Sequence, residues 1–323
     1  MSAARPRRIA LTGLATFLGR RLADRLAAHP GLDVRGLDRR RPYGLDARVP
    51  CHAVDLCLPT ADAELADLLQ KEEIEGVVHL AFRRAPTPDL EADHELEVIG
   101  SLHLLHACAA AGVRKLVLGS STMVYGACPD NPAYLEEDHP LRGHPHAHQV
   151  MNRVEVEGMV AEFARRHPRV EVTVLRPCWI MGPTFWDPIV RYLARPVVPT
   201  LLGYDPMLQL VHEDDALHAF EEAILRRHPG IFNVVGREVM PLSRLLRVGG
   251  RRPLPLPASW VHRVRDFPSR AQTGDPPDGF YDYLRYSWVA AGEKGFAAFG
   301  EPVYTTREAW MSFVSSRRMR RYR

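Results

Sequence analysis

From the N-terminus to about Pro177 the chain alternates short apolar runs with longer segments whose apolar residues recur at helical spacing. The short runs are Arg8–Thr12, Asp33–Asp38, His52–Asp55, Gly76–Phe82, Lys115–Ser120 and Glu171–Arg176. They read as continuous rather than alternating, as expected of strands covered on both faces. Between them the spacing predicts helices over Phe17–Ala28, with Leu18, Leu22 and Leu26 on one face, and over Leu90–Ala111, with Leu96, Ile99, Leu102, Leu105 and Ala109. A third is expected from about Gln149 to His167, carrying Val150, Val154 and Ala161. Strand–helix alternation of this kind predicts an α/β chain with a doubly wound parallel sheet, and ligands in such sheets bind outside the carboxyl ends of the strands.

After Pro177 prolines are frequent (Pro183, Pro188, Pro196, Pro199, Pro206), so regular elements should be short. A helix at about Asp214–Arg227 and a strand at Gly230–Val235 are expected to rejoin the main sheet. The rest, from Met240, is rich in Pro, Trp and Tyr, with a final helix near Thr306–Ser316. The expected division is a main domain of residues 1–177 with about 211–236. A smaller lobe, about 178–210 with 237–323, would form a cleft over the strand ends.

Composition narrows the partners little. The 323 residues carry 42 Lys plus Arg against 39 Asp plus Glu, a net charge of +3, and no nucleic-acid partner is expected. Only the tail is lopsided, with Arg317, Arg318, Arg320, Arg321 and Arg323, and it reads as a solvated end. No apolar stretch suits a signal core or a membrane span. The five cysteines are scattered without a CxxC, which suggests reduced thiols, a cytoplasmic setting and no metal site.

The first strand runs straight into Thr12-Gly13-Leu14-Ala15-Thr16-Phe17-Leu18-Gly19 and then a helix. A strand–turn–helix with glycines offers backbone amides and a helix dipole to a pyrophosphate. Gly13 suits the tight turn and Gly19 a close helix–strand approach. Thr16 stands where glycine would let phosphates come nearest, and is expected to cap the helix and offer its hydroxyl to a phosphate. Asp38 ends the second strand, where an acidic group accepts from an adenosine ribose hydroxyl and favours NAD. Arg39, Arg40 and Arg41 follow and suit a 2′-phosphate, so NADP stays open. Asp55 is expected to end the third strand near the adenine, and small Ala81 to let the cofactor lie across the fourth.

These pieces resemble the extended short-chain dehydrogenase/reductase family, the NAD-dependent epimerase/dehydratase group. The matching segments are TGLATFLG, VVHLAF, GVRKLVLGSSTMVYG, LRPCWIMGP, LVHEDDALHAF and GIFNVVG, in the family's order. The resemblance implies a Rossmann-type sheet with a small C-terminal substrate lobe. It implies cofactor contacts from Gly13, Thr16, Phe17, Leu18, Gly19, Asp38, Arg39, Asp55, Leu56, Leu80, Ala81, Phe82, Arg153 and Pro177. It also implies pairing of two copies through the helices at Leu90–Ala111 and Gln149–His167.

The chemistry the resemblance implies needs a hydroxyl to orient the substrate, a Tyr as acid/base and a Lys four residues on to lower the phenol's pKa. Ser121 takes the hydroxyl place, with Thr122 beside it, while Tyr125 is structural. The Tyr place holds Gln149 and the Lys place Arg153. Gln149 has no ionisable proton, and Arg153 stays charged without relaying one. A histidine from His139, His144, His146 and His148 is a substitute to weigh, His148 first among them. On the substrate side the resemblance puts Trp179 where the family has an Asn and Leu208 where it has a diphosphate-binding Arg. Both changes disfavour a nucleotide-sugar. Trp179, Met181, Trp186 and Trp260 suit an apolar carbinol or ketone; ordinary core packing is the alternative. The expectation is an NAD(P)-binding oxidoreductase or epimerase type acting on a hydroxyl- or keto-bearing small molecule with impaired catalysis. The alternative is a non-catalytic NAD(P)-binding sensor or scaffold.

Overall fold

In the computed structural model, which describes residues 5–83, 89–260 and 279–320, the main sheet has seven strands. In chain order they are β1 (Arg7–Thr12), β2 (Leu32–Asp38), β3 (Cys51–Ala53), β4 (Gly76–His79), β5 (Lys115–Gly119), β6 (Glu171–Pro177) and a last strand at Gly230–Val234. Across the sheet β3, β2, β1, β4, β5, β6 and the last strand follow one another, all parallel. The order reverses between β1 and β4, and a crevice opens at such a reversal because successive connections leave to opposite faces.

Alternate residues of the central strands feed two cores, as the period of two requires. Ile9 and Leu11 of β1 and Val117 of β5 pack in one core, and Ala10, Leu116 and Leu118 in the other. All of β4 and β5 is buried, as the continuous runs predict. The edge-side β2 departs from that: Asp33 and Arg35 are only half-buried, and Arg35 pairs with Asp33 and with Glu72 across the sheet face.

The helices covering the sheet are α1 (Phe17–Ala27), α2 (Ala61–Lys71), α3 (Leu90–His94), α4 (Gly100–Ala110), α5 (His148–Arg166) and, after β6, one at Glu213–Leu225. α2 is a helix the pattern reading above does not assign, although Ala61, Leu65, Ala66 and Leu69 form its buried stripe. α3 and α4 are joined through a π-helical turn at Glu95–Ile99, so the expected single helix over Leu90–Ala111 carries an extra residue mid-way. Four expected strands end early, two of them, at Gly119 and Val234, by a single residue. β3 stops at Ala53, leaving Asp55 in the following loop, and β4 stops at His79, leaving Leu80, Ala81 and Phe82 beyond the strand.

Beyond β6 three small two-stranded sheets pair Trp179–Met181 with Leu210–His212, Met207–Leu208 with Met240–Pro241, and Val197–Leu201 with Arg252–Leu256. The final helix runs Thr306–Arg320, past the predicted end at Ser316. Arg317 does not project as a solvated tail: its guanidinium lies 3.5 Å from the Trp186 ring centroid. Arg321 and Arg323 lie outside the described residues, as do the side chains of Arg318 and Arg320. Among the described residues no helix is long and apolar enough to cross a membrane.

Candidate functional site

The loop after β1 is shaped by backbone rather than by side chains. Gly13 has φ +71°, and a Cβ there would stand 2.2 Å from the Leu80 carbonyl oxygen. A Cβ on Gly19 would stand 2.3 Å from the Gly13 carbonyl oxygen, so the first turn of α1 rests on the loop. Thr16 is the N-cap: its hydroxyl donates to the Gly13 carbonyl at 2.7 Å and accepts from the Gly19 N–H at 3.0 Å. The expected cap is present, but the hydroxyl's one proton is committed within the loop and is not free for a phosphate. The Arg20 N–H goes to the Thr16 carbonyl. That leaves the Phe17 and Leu18 amides as the orphan donors of a helix start, and both residues line the cleft.

Two cavities meet at this loop. One, of about 410 Å³, is lined by Gly13, Thr16, Asp38, Arg39, Leu56 and Ala81 among others. The other, of about 240 Å³, is lined by Thr16, Phe17, Leu18, Leu80, Ser121, Gln149, Arg153, Pro177 and Trp179 among others. Thr16, Phe82 and Arg83 line both. Thr16 therefore stands between two open spaces and fills neither.

At the first cavity Asp38 accepts from the Ala15 N–H at 3.1 Å and the Arg39 N–H at 2.8 Å. Asp55 is displaced from its expected place on the wall: it holds the Arg39 guanidinium at 3.1 Å while its neighbours Val54 and Leu56 line the cavity. Arg41 is spent on the carbonyls of Leu45, Asp46 and Val49.

At the second cavity Gln149 and Arg153, one turn apart on α5, both face the cleft with Ser121. Ser121 caps a short 3₁₀ turn, accepting from the Met123 N–H at 3.2 Å, which leaves its proton to give. Gln149 Nε2 is shielded from solvent with no hydrogen-bond partner among the described residues. Arg153 lies 4.8 Å from the Phe82 ring centroid and donates to the Gln149 carbonyl at 3.3 Å. Burial pulls its pKa down, opposed by the nearby Glu97 carboxylate; an Arg remains a cation regardless.

Several expected positions are not on the wall. Thr122 is fully buried beneath Ser121 with an unpaired hydroxyl, because the 3₁₀ turn folds it inward. Leu208 is buried in its two-stranded pairing with Met240. Met181 is swallowed by the core, and Trp186 and Trp260 are exposed away from the cavity, so of the four aromatic-pocket candidates only Trp179 lines it. Tyr125 is structural as expected: it is buried, donates to Asn233 and accepts from Arg176. Burial pushes its pKa up to about 12.

The wall also holds acids that the sequence reading passes over. Asp93 lines the cleft and is ion-paired with Arg83. Glu97, fully buried, accepts from the Arg83 N–H at 2.7 Å and from Asn152 at 2.8 Å, and burial raises its pKa. Asp93, Glu97 and Ser101 stand four apart, off the apolar face expected from Leu96, Ile99, Leu102, Leu105 and Ala109. That acidic spacing was the available signal. Below them His79 is enclosed between Thr12 at 2.7 Å and Ser101 at 2.8 Å, and burial holds its pKa down to about 4. Since Ser101 donates to the Glu97 carbonyl, His79 donates from Nε2 and accepts from Thr12.

Comparison with known proteins follows from this geometry. Residues 9–234 match the model of the NAD dependent epimerase/dehydratase family. The chain belongs to that family. An uncharacterised protein of Mycobacterium tuberculosis is 32% identical over 97% of this chain and 84% of its own length. The fold is that of the epimerases. A UDP-glucose 4-epimerase of Thermotoga maritima, solved with UDP-glucose, superposes with TM-score 0.73 at 20% identity, over 97% of this chain and 99% of that one. The enzyme of the same name from Thermus thermophilus, solved with NAD, gives 0.73 at 22% identity over 96% and 99%. NAD is the cofactor by which the family is described, and the strand-order reversal of this family member lies where the 13–19 loop opens.

Proposed function

We propose that this epimerase/dehydratase family member binds NAD across the two cavities and a hydroxyl- or keto-bearing small molecule beyond Ser121, with proton transfer impaired. The observation that carries the reading is the open crevice on both sides of Thr16, with two first-turn amides of α1 left over. The residues fit the cofactor. Amides of Phe17 and Leu18 at a helix start suit a pyrophosphate. The Asp38 carboxylate beside the first cavity suits a ribose hydroxyl. With Arg39 paired to Asp55 and Arg41 spent on carbonyls, this edge favours NAD over NADP. Arg153, fixed over Phe82, is the donor for the second ribose.

Bound as NAD the cofactor would accept a hydride from a carbinol carbon, and bound as NADH it would donate one to a carbonyl carbon. The chain's own part is to hold the substrate oxygen and move its proton. Ser121 orients an oxygen, but Gln149 takes the acid/base place without an ionisable proton, and Arg153 does not relay one. Losing an acid/base group costs on the order of a hundred- to ten-thousand-fold in rate. A second reading, a non-catalytic NAD sensor or scaffold, is favoured by that same Gln149. A turnover screen on alcohols and ketones separates the two.

The cofactor reading is tested by thermal denaturation with NAD, NADH, NADP and NADPH. At a hundredfold excess over Kd a ligand adds about 2.7 kcal/mol to stability, so NAD should raise the Tm by several degrees and NADP by less. No rise with any of the four, or a larger rise with NADP, would reject it.

A further inference from the structure

The cleft wall beyond Ser121 is aromatic. Trp179 stacks on Phe280 with ring centroids 5.5 Å apart and planes 20° from parallel. Its Nε1–H is taken by the Met123 sulfur at 3.4 Å, so the indole offers surface rather than a donor. Ile180, Phe185 and Ile189 continue the apolar lining.

The charges on the described wall cancel. Arg83 and Arg153 stand against Asp93 and Asp187, with Glu97 enclosed behind Arg153. Both guanidinium charges are already opposed: Arg83 is paired with Asp93, and Arg153 lies over Phe82 in the field of Glu97. A diphosphate would enter without charge partners among the described residues, which is costly.

Beside Ser121 the hydrogen-bonding groups include two donors with protons to give. Ser120 is committed to Glu157. Ser121 has a proton to give, and Gln149 Nε2 is a solvent-shielded donor with no partner. An unmet buried donor costs about 1–3 kcal/mol, and a turn of the Gln149 amide toward a ligand oxygen in the cleft would recover it. An alcohol would bring a third donor to this place; a carbonyl brings only an acceptor.

We propose that the cleft takes an uncharged, flat, largely apolar ketone. Its ring lies along the Trp179–Phe280 wall and its carbonyl oxygen accepts from Gln149 and Ser121. This assignment deepens the reading that NAD occupies the 13–19 crevice and rests on it.

Calorimetric titration of the NAD-saturated protein with 2-tetralone, tetralin and UDP-glucose tests the assignment. The ketone should bind about five- to tenfold more tightly than the hydrocarbon of the same shape, the gain of one good hydrogen bond, and UDP-glucose should bind more weakly than either. Gln149→Ala should narrow the gap between ketone and hydrocarbon to what Ser121 alone supplies, while Trp179→Leu should weaken both alike. Tighter binding of UDP-glucose than of the ketone, equal binding of ketone and hydrocarbon, or no binding of either ring compound would overturn the assignment. The NAD-induced rise in Tm, measured on the same samples and on both variants, keeps the two readings apart. With that rise and no ketone preference, the substrate class alone fails; with no rise, both fail.

Discussion

Loop 13–19 and the first turns of α5 line one cleft, and they are built from different materials. The loop is made of backbone: a left-handed glycine, a carbonyl two ångströms from where a side chain would start, and amides left over at a helix end. The α5 side is made of side chains at i and i+4, Gln149 and Arg153, whose only shared property is where they point. A backbone site tolerates a new side chain in its middle if, as with Thr16, the hydroxyl turns back into the loop. A site of ionisable groups has no such tolerance. On the reading proposed here, one substitution leaves the geometry standing and takes the proton transfer away.

The sharpest way to break this contrast is to restore the α5 side alone. Gln149→Tyr together with Arg153→Lys should raise turnover by about a hundred- to ten-thousand-fold on any ketone or alcohol the cleft accepts. If NADH formation from alcohols with NAD and NADH consumption with ketones both stay at background while cofactor and substrate bind, Gln149 and Arg153 are not what limits turnover. Attacking the loop should do the opposite. Gly13→Ala combines a left-handed backbone with a clash against the Leu80 carbonyl, for a loss of about 3 kcal/mol and of NAD binding. Urea denaturation and an NAD titration would show it, and an unperturbed variant would mean the loop is not backbone-determined.

The smallest effect sharpens what joins the two sides. His79 binds Thr12 at the base of the loop and Ser101 on α4. Its folded pKa of about 4 lies below the ordinary histidine value of 6.5. Its contribution is therefore complete above pH 6.5 and is lost as pH falls toward 4, because the unfolded chain takes up the proton first. By pH 5 the loss is about 2 kcal/mol. Wild type should therefore weaken more than His79→Asn between pH 7 and pH 5. Parallel curves would mean His79 is not held neutral.

The sheet was legible because buried parallel strands write themselves as continuous apolar runs, as β4 and β5 do. α2 was not, since its alanines and short Leu65–Leu69 stripe signal helix weakly beside the Leu-rich segments around it. Motif order also brought Ser121, Gln149 and Arg153 to one wall. Substrate-side expectations fared worse, because spacing along the chain does not say which way a strand turns its residues. Met181 and Leu208 went to the core, and Trp186 went under Arg317. The acids Asp93 and Glu97 stayed hidden for another reason. They lie on a different stripe from the leucines that mark the helix, and nothing in the spacing shows that this stripe is buried too.

That irregularity has a consequence for how the wall can change. In a regular helix, one surplus residue at Glu95–Ile99 would put the stretch before it out of phase with the stretch after it by about 100°. The wide turn absorbs that residue, so removing one residue there would restore a regular α-helix with Asp93 still on the cleft face and α4 still packed. A one-codon deletion at this turn is thus absorbed without altering the wall, whereas the same deletion within the regular α4 would exchange a whole face at once.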